Sequence, residues 1–289
     1  MNRFIPIILI ALIATTVVAA PRTVLVESFT NVSCAPCATA NPVTEQYISD
    51  TSRQQVLNIQ YHVSWPSSSD PFYTTNPTEL GGRRSYYGIN SVPDLICDGI
   101  NGPSPGNYNS LADAVSASRE LTSNYIIEVS QSINGSILSA DVTVTSENAS
   151  DANEKLQIAV VEKFVHYASQ PGNNGETDFY WSVRDMMPTH TGTAVNLNAG
   201  QSYTFSQNST LDASWDTSEL FVIAWIQNDT TKDVLQAGSS IPKDPYEFAN
   251  DVPVRAALTP LGEMKEFYGT LYNLGENSDT YDIHIDRDI

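Results

Sequence analysis

Short apolar runs alternate with helix-like stretches from Val24 to about Thr122, a pattern that predicts an α/β layer arrangement with parallel strands. Strands are expected over Val24 to Phe29, Val56 to Val63 and Asp94 to Cys97, and helices over Ala38 to Asp50, Asn76 to Tyr87 and Asn109 to Leu121. Asp98-Gly99 marks a turn behind the third strand. From Tyr125 onward the rhythm changes. The β-rich runs Tyr125 to Ser130, Ser139 to Val144, Leu156 to Val165, Gln201 to Phe205 and Leu220 to Gln227 are separated by Asn, Gly, Ser and Asp, which predicts an all-β, Ig-like antiparallel sandwich. Between them, His166 to Pro188 reads as a loop excursion anchored by Phe179, Tyr180 and Trp181.

The ends add two further segments. Met-Asn-Arg, an apolar run from Phe4 to Val18 and the small residues Ala19 and Ala20 match a secretory signal peptide over residues 1–20, and the run is short for a membrane span. The expected organisation is then an α/β domain over 21–122, a β-sandwich over 123–240, a linker over 241–251 containing Ile241-Pro242-Lys243-Asp244-Pro245, and a partial β module over 252–289. In that last module Lys265 to Tyr272 and Thr280 to Ile285 read as two strands, too few to bury a core, so the chain is expected to stop inside a third unit. At 41% hydrophobic residues the chain can bury sizeable cores, while 14 Lys plus Arg against 33 Asp plus Glu give a net charge of −19. Phosphate-rich partners would be repelled by such a surface, which argues against nucleic acid and anionic membranes.

The chemistry concentrates at Cys34-Ala35-Pro36-Cys37, directly after the first apolar strand and before a stretch that can turn helical. Cysteines three apart at a helix start can close a small disulfide, and the unpaired N–H groups and positive dipole end there favour a thiolate on the first. The same spacing serves a structural disulfide or half of a zinc site, but only Cys97 remains as a third cysteine. Cys97 is expected to be a small buried hydrophobe rather than a third redox centre. His62 ends its strand, and His166, His190 and His284 are scattered, so neither a metal pattern nor a triad is expected and no cofactor is implied.

Ser91-Val92-Pro93, just before the strand Asp94 to Cys97, resembles the cis-proline loop of the thioredoxin fold. Val24 to Phe29 leading into the cysteine pair, Tyr61-His62, Asp70-Pro71-Phe72, Arg83 to Gly88 and Val92-Pro93 through Asp98-Gly99 together resemble the thioredoxin-like domain of Omp28-related outer membrane proteins. Val183 to Pro188, Phe221 to Asn228 and Val234 to Ala237 are similar to the β-sandwich portion of that family, so the resemblance spans most of Val24 to Gly238. It implies that Cys34 attacks a substrate disulfide and Cys37 resolves the mixed disulfide. It also implies that Pro93 is cis and lies against the pair, that Val92 offers backbone hydrogen bonds to an extended substrate, and that Ala35 and Pro36 border the substrate and tune the potential. Ser33 departs from the tryptophan usual before the first cysteine. Glu27 stands seven positions before Cys34, one further than the buried acid of thioredoxins, so a role as proton acceptor for Cys37 competes with a solvent-facing position or a pair with Arg22.

Two functional readings follow. One is an exported thiol-disulfide oxidoreductase or redox-active surface protein acting on protein thiols and disulfides, periplasmic, outer-membrane associated or extracellular. The other is a non-catalytic surface or adhesion protein, with a cell-surface partner, whose cysteine pair is a permanent structural bond.

Overall fold

All seven residues from Val24 to Thr30 are buried, the pattern of a strand covered on both faces rather than on one. The structure, a computed structural model, describes residues 20–243, 248–251, 270–273, 275, 277, 278 and 280. The first part runs β1 (Ala20–Pro21), β2 (Val24–Thr30), α1 (Cys37–Asp50), β3 (Val56–His62), α2 (Pro71–Thr75), α3 (Pro77–Tyr87), β4 (Asp94–Cys97) and α4 (Tyr108–Arg119). The second runs β5 (Thr122–Ser123), β6 (Tyr125–Asn134), β7 (Ile137–Ser146), β8 (Glu154–His166), β9 (Asp178–Met186), β10 (Thr193–Ala194), β11 (Ser202–Thr210), β12 (Leu220–Asn228) and β13 (Val234–Ser239). Among the described residues β14 (Phe248–Asp251) and β15 (Thr270–Asn273) pair only with each other.

Local chemistry sets the helix ends. Asp70 accepts from the N–H groups of Phe72 and Tyr73 with Pro71 opening α2, and Asn76 both closes α2 and caps α3, where Pro77 takes the first position. The single helix expected over Asn76 to Tyr87 is therefore preceded by a separate short one. α3 ends on Gly88 at φ 70, the left-handed conformation that glycine adopts without strain.

The principal sheet has the order β13-β12-β8-β9-β3-β2-β4, with β10 alongside β8. β2 pairs in parallel with β3 and antiparallel with β4, and β3 meets β9 in parallel at Gln60 and Ser182. That last pairing carries the sheet across the boundary expected at 122/123, so strands from both expected units share one sheet. A second sheet, β11-β7-β6, lies over its far end. Leu156, Ile158, Val160, Val222, Ala224 and Ile226 pack against Leu138, Val142 and Val144 of the second sheet, while the alternate residues Ala159, Val161, Ile223 and Trp225 join the core of the first part. β8 as far as Glu162, and β12, are thus buried on both faces, which accounts for the apolar runs Ile158 to Val161 and Leu220 to Ile226.

Strand parity divides the first part into two faces. Ser28 bonds Asn58, Asn41 of α1 donates to Thr30, and Cys97 lies against Ser118 of α4, so even positions of β2 face α1 and α4. Glu27 and Phe29 instead meet Arg83 and Tyr87 of α3.

Several expectations change at the ends. Residues 1–19 of the expected signal peptide lie outside the described residues, while Ala20–Pro21 pairs with Thr122–Ser123 as an edge ribbon. Residues 248–251 of the expected linker form a strand, and β15, which overlaps the expected strand Lys265 to Tyr272, pairs with β14; the expected strand Thr280 to Ile285 lies, beyond Thr280, outside the described residues. The excursion expected over His166 to Pro188 is a hairpin: Phe179, Tyr180 and Trp181 belong to β9, and only residues 167–177 form its loop. Among the described residues no helix is long and apolar enough to cross a membrane.

The two parts lock together behind β4. Arg22 Nη2 reaches Asp233 at 2.8 Å and its Nε lies 3.1 Å from Asp98, whose carbonyl accepts from Val234 N at 3.0 Å. Gly99, at φ 79, sits so close that a Cβ there would lie 1.8 Å from Lys232 O. Gly135, at φ 61, has open space around it. Gly135→Ala should therefore cost only the left-handed backbone term of about 1–2 kcal/mol. Gly99→Ala adds a backbone clash and should lower the urea midpoint distinctly further; equal midpoints for the two variants would contradict this docking.

Candidate functional site

β2 delivers the chain to the site, and the six residues Asn31 to Pro36 turn it into α1. Cys34 and Cys37 are joined as a disulfide with a Cα separation of 5.2 Å. Cys34 is only 3% exposed and Cys37 is buried, while Ala35 and Pro36 stand exposed at the tip. The Cys37 N–H points at Cys34 Sγ, 3.1 Å away, and also donates to the Cys34 carbonyl. A thiolate on Cys34 would find that donor already in place, together with the positive end of α1. On the other side the Val92 carbonyl lies 3.5 Å from Cys34 Sγ, and the Val92–Pro93 peptide is cis. A disulfide sulfur carries no proton, so this is a contact in the oxidised state and becomes available as an S–H acceptor on reduction. Cys34, Cys37 and Val92 are thus brought together, with Pro93 next in the chain after Val92.

The loop is held by side chains that local sequence reading did not single out. Asn31 Nδ2 donates to the carbonyls of Val63 and Ser67 at 2.7 and 2.8 Å, and its Oδ1 accepts from Ser33 N. Asp70 Oδ2 accepts from Val32 N at 2.9 Å and sits 2.8 Å from His62 Nδ1, while Oδ1 caps α2. Burial would raise the Asp70 carboxyl, but His62 and the converging backbone N–H groups hold it below the ordinary value. His62 stacks on Phe72 with centroids 4.1 Å apart, which places it beside the loop in a structural pair with Asp70. Asp70-Pro71 carries a visible helix-start signal, an N-cap followed by proline.

The β8–β9 loop closes the other flank. Asn174 N donates to Val32 O at 3.3 Å, and Asn174 Nδ2 donates to the Cys34 carbonyl at 3.3 Å and to Asn31 O at 3.4 Å. Gly172 lies flat on the loop, since a Cβ there would fall 2.1 Å from Val32 O. Trp65 lies within the 63–67 segment that Asn31 holds and packs toward the main core, with the Arg84 guanidinium 4.0 Å from its ring and Arg84 Nε bonded to Ile89 O.

Glu27 lies elsewhere. It is fully buried on the sheet face opposite α1, paired with Arg83 at 2.7 Å and accepting from Tyr61 Oη at 2.9 Å and Tyr87 Oη at 2.5 Å. Burial first, and then the Glu27 charge, push both phenols well above their ordinary range. Strand parity sets the placement: Glu27 shares the odd face of β2 with Phe29, the face that meets α3. Glu27 is neither solvent-facing nor paired with Arg22, whose partners are Asp98 and Asp233. Cys97 is free and buried, and burial pushes its thiol up to about 12, which keeps it protonated and unreactive. No group of three or more His, Cys, Asp or Glu among the described residues could hold a metal ion.

A mixed α/β protein with a disulfide at a helix start, faced by a cis-proline loop, is the class this geometry defines. Residues 83–244, more than half of the chain, match the family described as Outer membrane protein Omp28, and the chain belongs to that family. Among solved structures, HBP35 of Porphyromonas gingivalis is similar at TM-score 0.64 and 15% identity, over 90% of this chain and 86% of that one. A structural-genomics protein from Agrobacterium tumefaciens aligns at TM-score 0.48 and 16% identity over 77% of this chain and 95% of its own. A domain of the outer membrane lipoprotein Omp28 from Porphyromonas gingivalis aligns at TM-score 0.30 and 10% identity over 40% of this chain and 86% of that one. No curated protein matches the chain.

Asp70→Asn tests the loop anchor. The variant keeps the shape but removes the charge that His62 and Val32 N meet, and charge-assisted hydrogen bonds are worth about 1.5–3 kcal/mol. Because the folded carboxyl titrates below the unfolded one, the stabilisation is full above the ordinary carboxyl range near pH 4 and is lost as pH falls through the folded value. In urea unfolding the gap between wild type and variant should be widest near neutrality and close toward pH 2; a gap independent of pH would show that the charge is not what matters.

Proposed function

We propose that this is an exported thiol-disulfide exchange protein, in which a thioredoxin-like unit spanning β2 to α4 carries the reaction and a sandwich-like β unit continues its sheet and braces its loop. One observation carries the reading: Cys34 Sγ lies between the α1 start, with the Cys37 N–H at 3.1 Å, and the Val92 carbonyl at 3.5 Å, so thiolate stabilisation and a substrate-binding backbone edge meet at one sulfur. The apolar run from Phe4 to Val18 behind Arg3 supports export, and membership of an outer membrane family supports a site at or beyond that membrane.

In the reductive direction the Cys34 thiolate attacks one sulfur of a protein disulfide, and the first substrate sulfur leaves with the bonding pair and takes a proton. Cys37 then loses its proton and attacks Cys34 Sγ, releasing the second substrate sulfur as a thiol and re-forming the Cys34–Cys37 bond. Two electrons and two protons pass from the dithiol to the substrate, and oxidation of a substrate dithiol runs the same steps backwards. Val92 and cis-Pro93 would align an extended substrate segment by backbone pairing, with Ala35 and Pro36 at its border. The 3% exposure of Cys34 favours the second reading, a permanent bond in a surface-binding protein.

A glutathione redox titration of the mature protein, with alkylation and mass analysis assigning each cysteine, separates the two. Exchange predicts a potential between roughly −120 and −270 mV, mixed-disulfide formation through Cys34, and accumulation of that adduct in Cys37→Ser. A potential below about −300 mV would mark a structural bond and sink the exchange reading.

A further inference from the structure

A carboxylate reaches the cysteine loop from far along the chain. Glu176, in the β8–β9 loop, accepts from Asn41 Nδ2 at 2.8 Å, and Asn41 stands four residues beyond Cys37 on α1. Residues four apart share a helix face, with Cβ atoms about 5–6 Å apart. Its other oxygen accepts from Asn174 Nδ2, the amide that also bonds the Cys34 carbonyl at 3.3 Å. One amide therefore ties Glu176 to the backbone of the attacking cysteine, and the other ties it to the helix turn that follows the resolving one. This is the α1 side of the sheet, where β2 and β3 place the neutral Ser28, Thr30, Asn58 and Gln60, with His62 following at the end of β3. Glu27 stands on the opposite face and is already matched to Arg83.

We propose that Glu176 is a positioning and electrostatic residue for the cysteine pair, acting through Asn174 and Asn41 so that its own ionisation opposes thiolate formation at Cys34 and favours retention of the Cys37 proton. The inference rests on the exchange reading, and it names the acid that sets the pH response of that site. Burial raises the Glu176 carboxyl above its ordinary value, while its two amide partners pull it back. The charged groups facing it are His62 at the end of β3, Asp70 at the α2 cap, Glu45 on α1 and Asp178 on β9. Of these only His62, already paired with Asp70, can carry positive charge. A second negative charge arriving on sulfur is therefore poorly compensated, and the two ionisations disfavour each other.

The test is the pH profile of Cys34 alkylation after reduction with a phosphine, in the full chain, for wild type, Glu176→Gln, Glu176→Asp and Asp178→Asn. Glu176→Gln should shift the thiol midpoint to lower pH and speed alkylation below it by roughly threefold or more. Glu176→Asp keeps the acid and should keep the wild-type profile. Asp178→Asn removes a carboxylate that lines the same cavity as Glu176 but is paired with His166 at the surface and has no amide link to either cysteine, and it should leave the profile unchanged. Where Glu176→Gln disturbs folding because its amide faces two donors, Glu176→Ala leaves Asn41 and Asn174 to water and should give the same shift. A wild-type profile in a folded Glu176→Gln or Glu176→Ala variant, or an equal shift in Asp178→Asn, overturns the proposal. Phosphine reduction needs no exchange partner, so a pair that resists glutathione yet shows the shift would fail the exchange reading and uphold this one, and the reverse result would do the opposite.

Discussion

A guanidinium with no access to water sits at the centre of this molecule, and the packing around it follows from the need to match its charge. Arg83 comes from α3, its carboxylate partner Glu27 from β2, the phenols of Tyr61 and Tyr87 from β3 and α3, and the amide of Gln227 from β12. Burial works against the charged form of Arg83, but Glu27 together with Tyr61 and Tyr87 more than offsets it, and the guanidinium is held above its ordinary value. The rings of Tyr86, Tyr87 and Trp225 cover its faces at 4.7, 5.1 and 5.4 Å. Removing one member of such a pair leaves the other charge stranded, typically at about 3–5 kcal/mol. The pair binds a helix of the first part to strands of both parts, and it commits the odd face of β2 to structure. The cysteine pair lies beyond Thr30, in the loop that leads from β2 into α1.

Much of this was legible from local pattern. The alternation of strands and helices from Val24 to Thr122, the cysteine spacing and the Val92-Pro93 step are all encoded within a few residues of where they act. What escaped is non-local. The parallel meeting of Gln60 with Ser182 joins segments over a hundred residues apart and has no signal in either strand alone. The nearly continuous apolar run of β8 is, in retrospect, the mark of a strand covered on both faces. Glu27 was misjudged because its face depends on how many residues the intervening loop absorbs, which spacing alone cannot decide. Asn174 and Glu176 sit in a polar loop whose composition looks like ordinary turn chemistry.

The arrangement also changes how the β-rich half is regarded. Its hairpin loop supplies an amide to the carbonyl of Cys34 and a flat glycine against Val32, so the site is assembled from both halves of the chain. The buried, braced disulfide differs from a free-standing redox loop chiefly in how little of it water can reach.

The strand that β9 adds beside β3 has a practical consequence for anyone cutting the chain. A fragment ending near Thr122 would contain every cysteine, yet it would leave the backbone of β3 as a bare edge lined by buried-type side chains such as Leu57, Ile59 and Tyr61. Unpaired edges of that kind recruit other strands, so such a fragment is a seed for self-association rather than a self-sufficient domain.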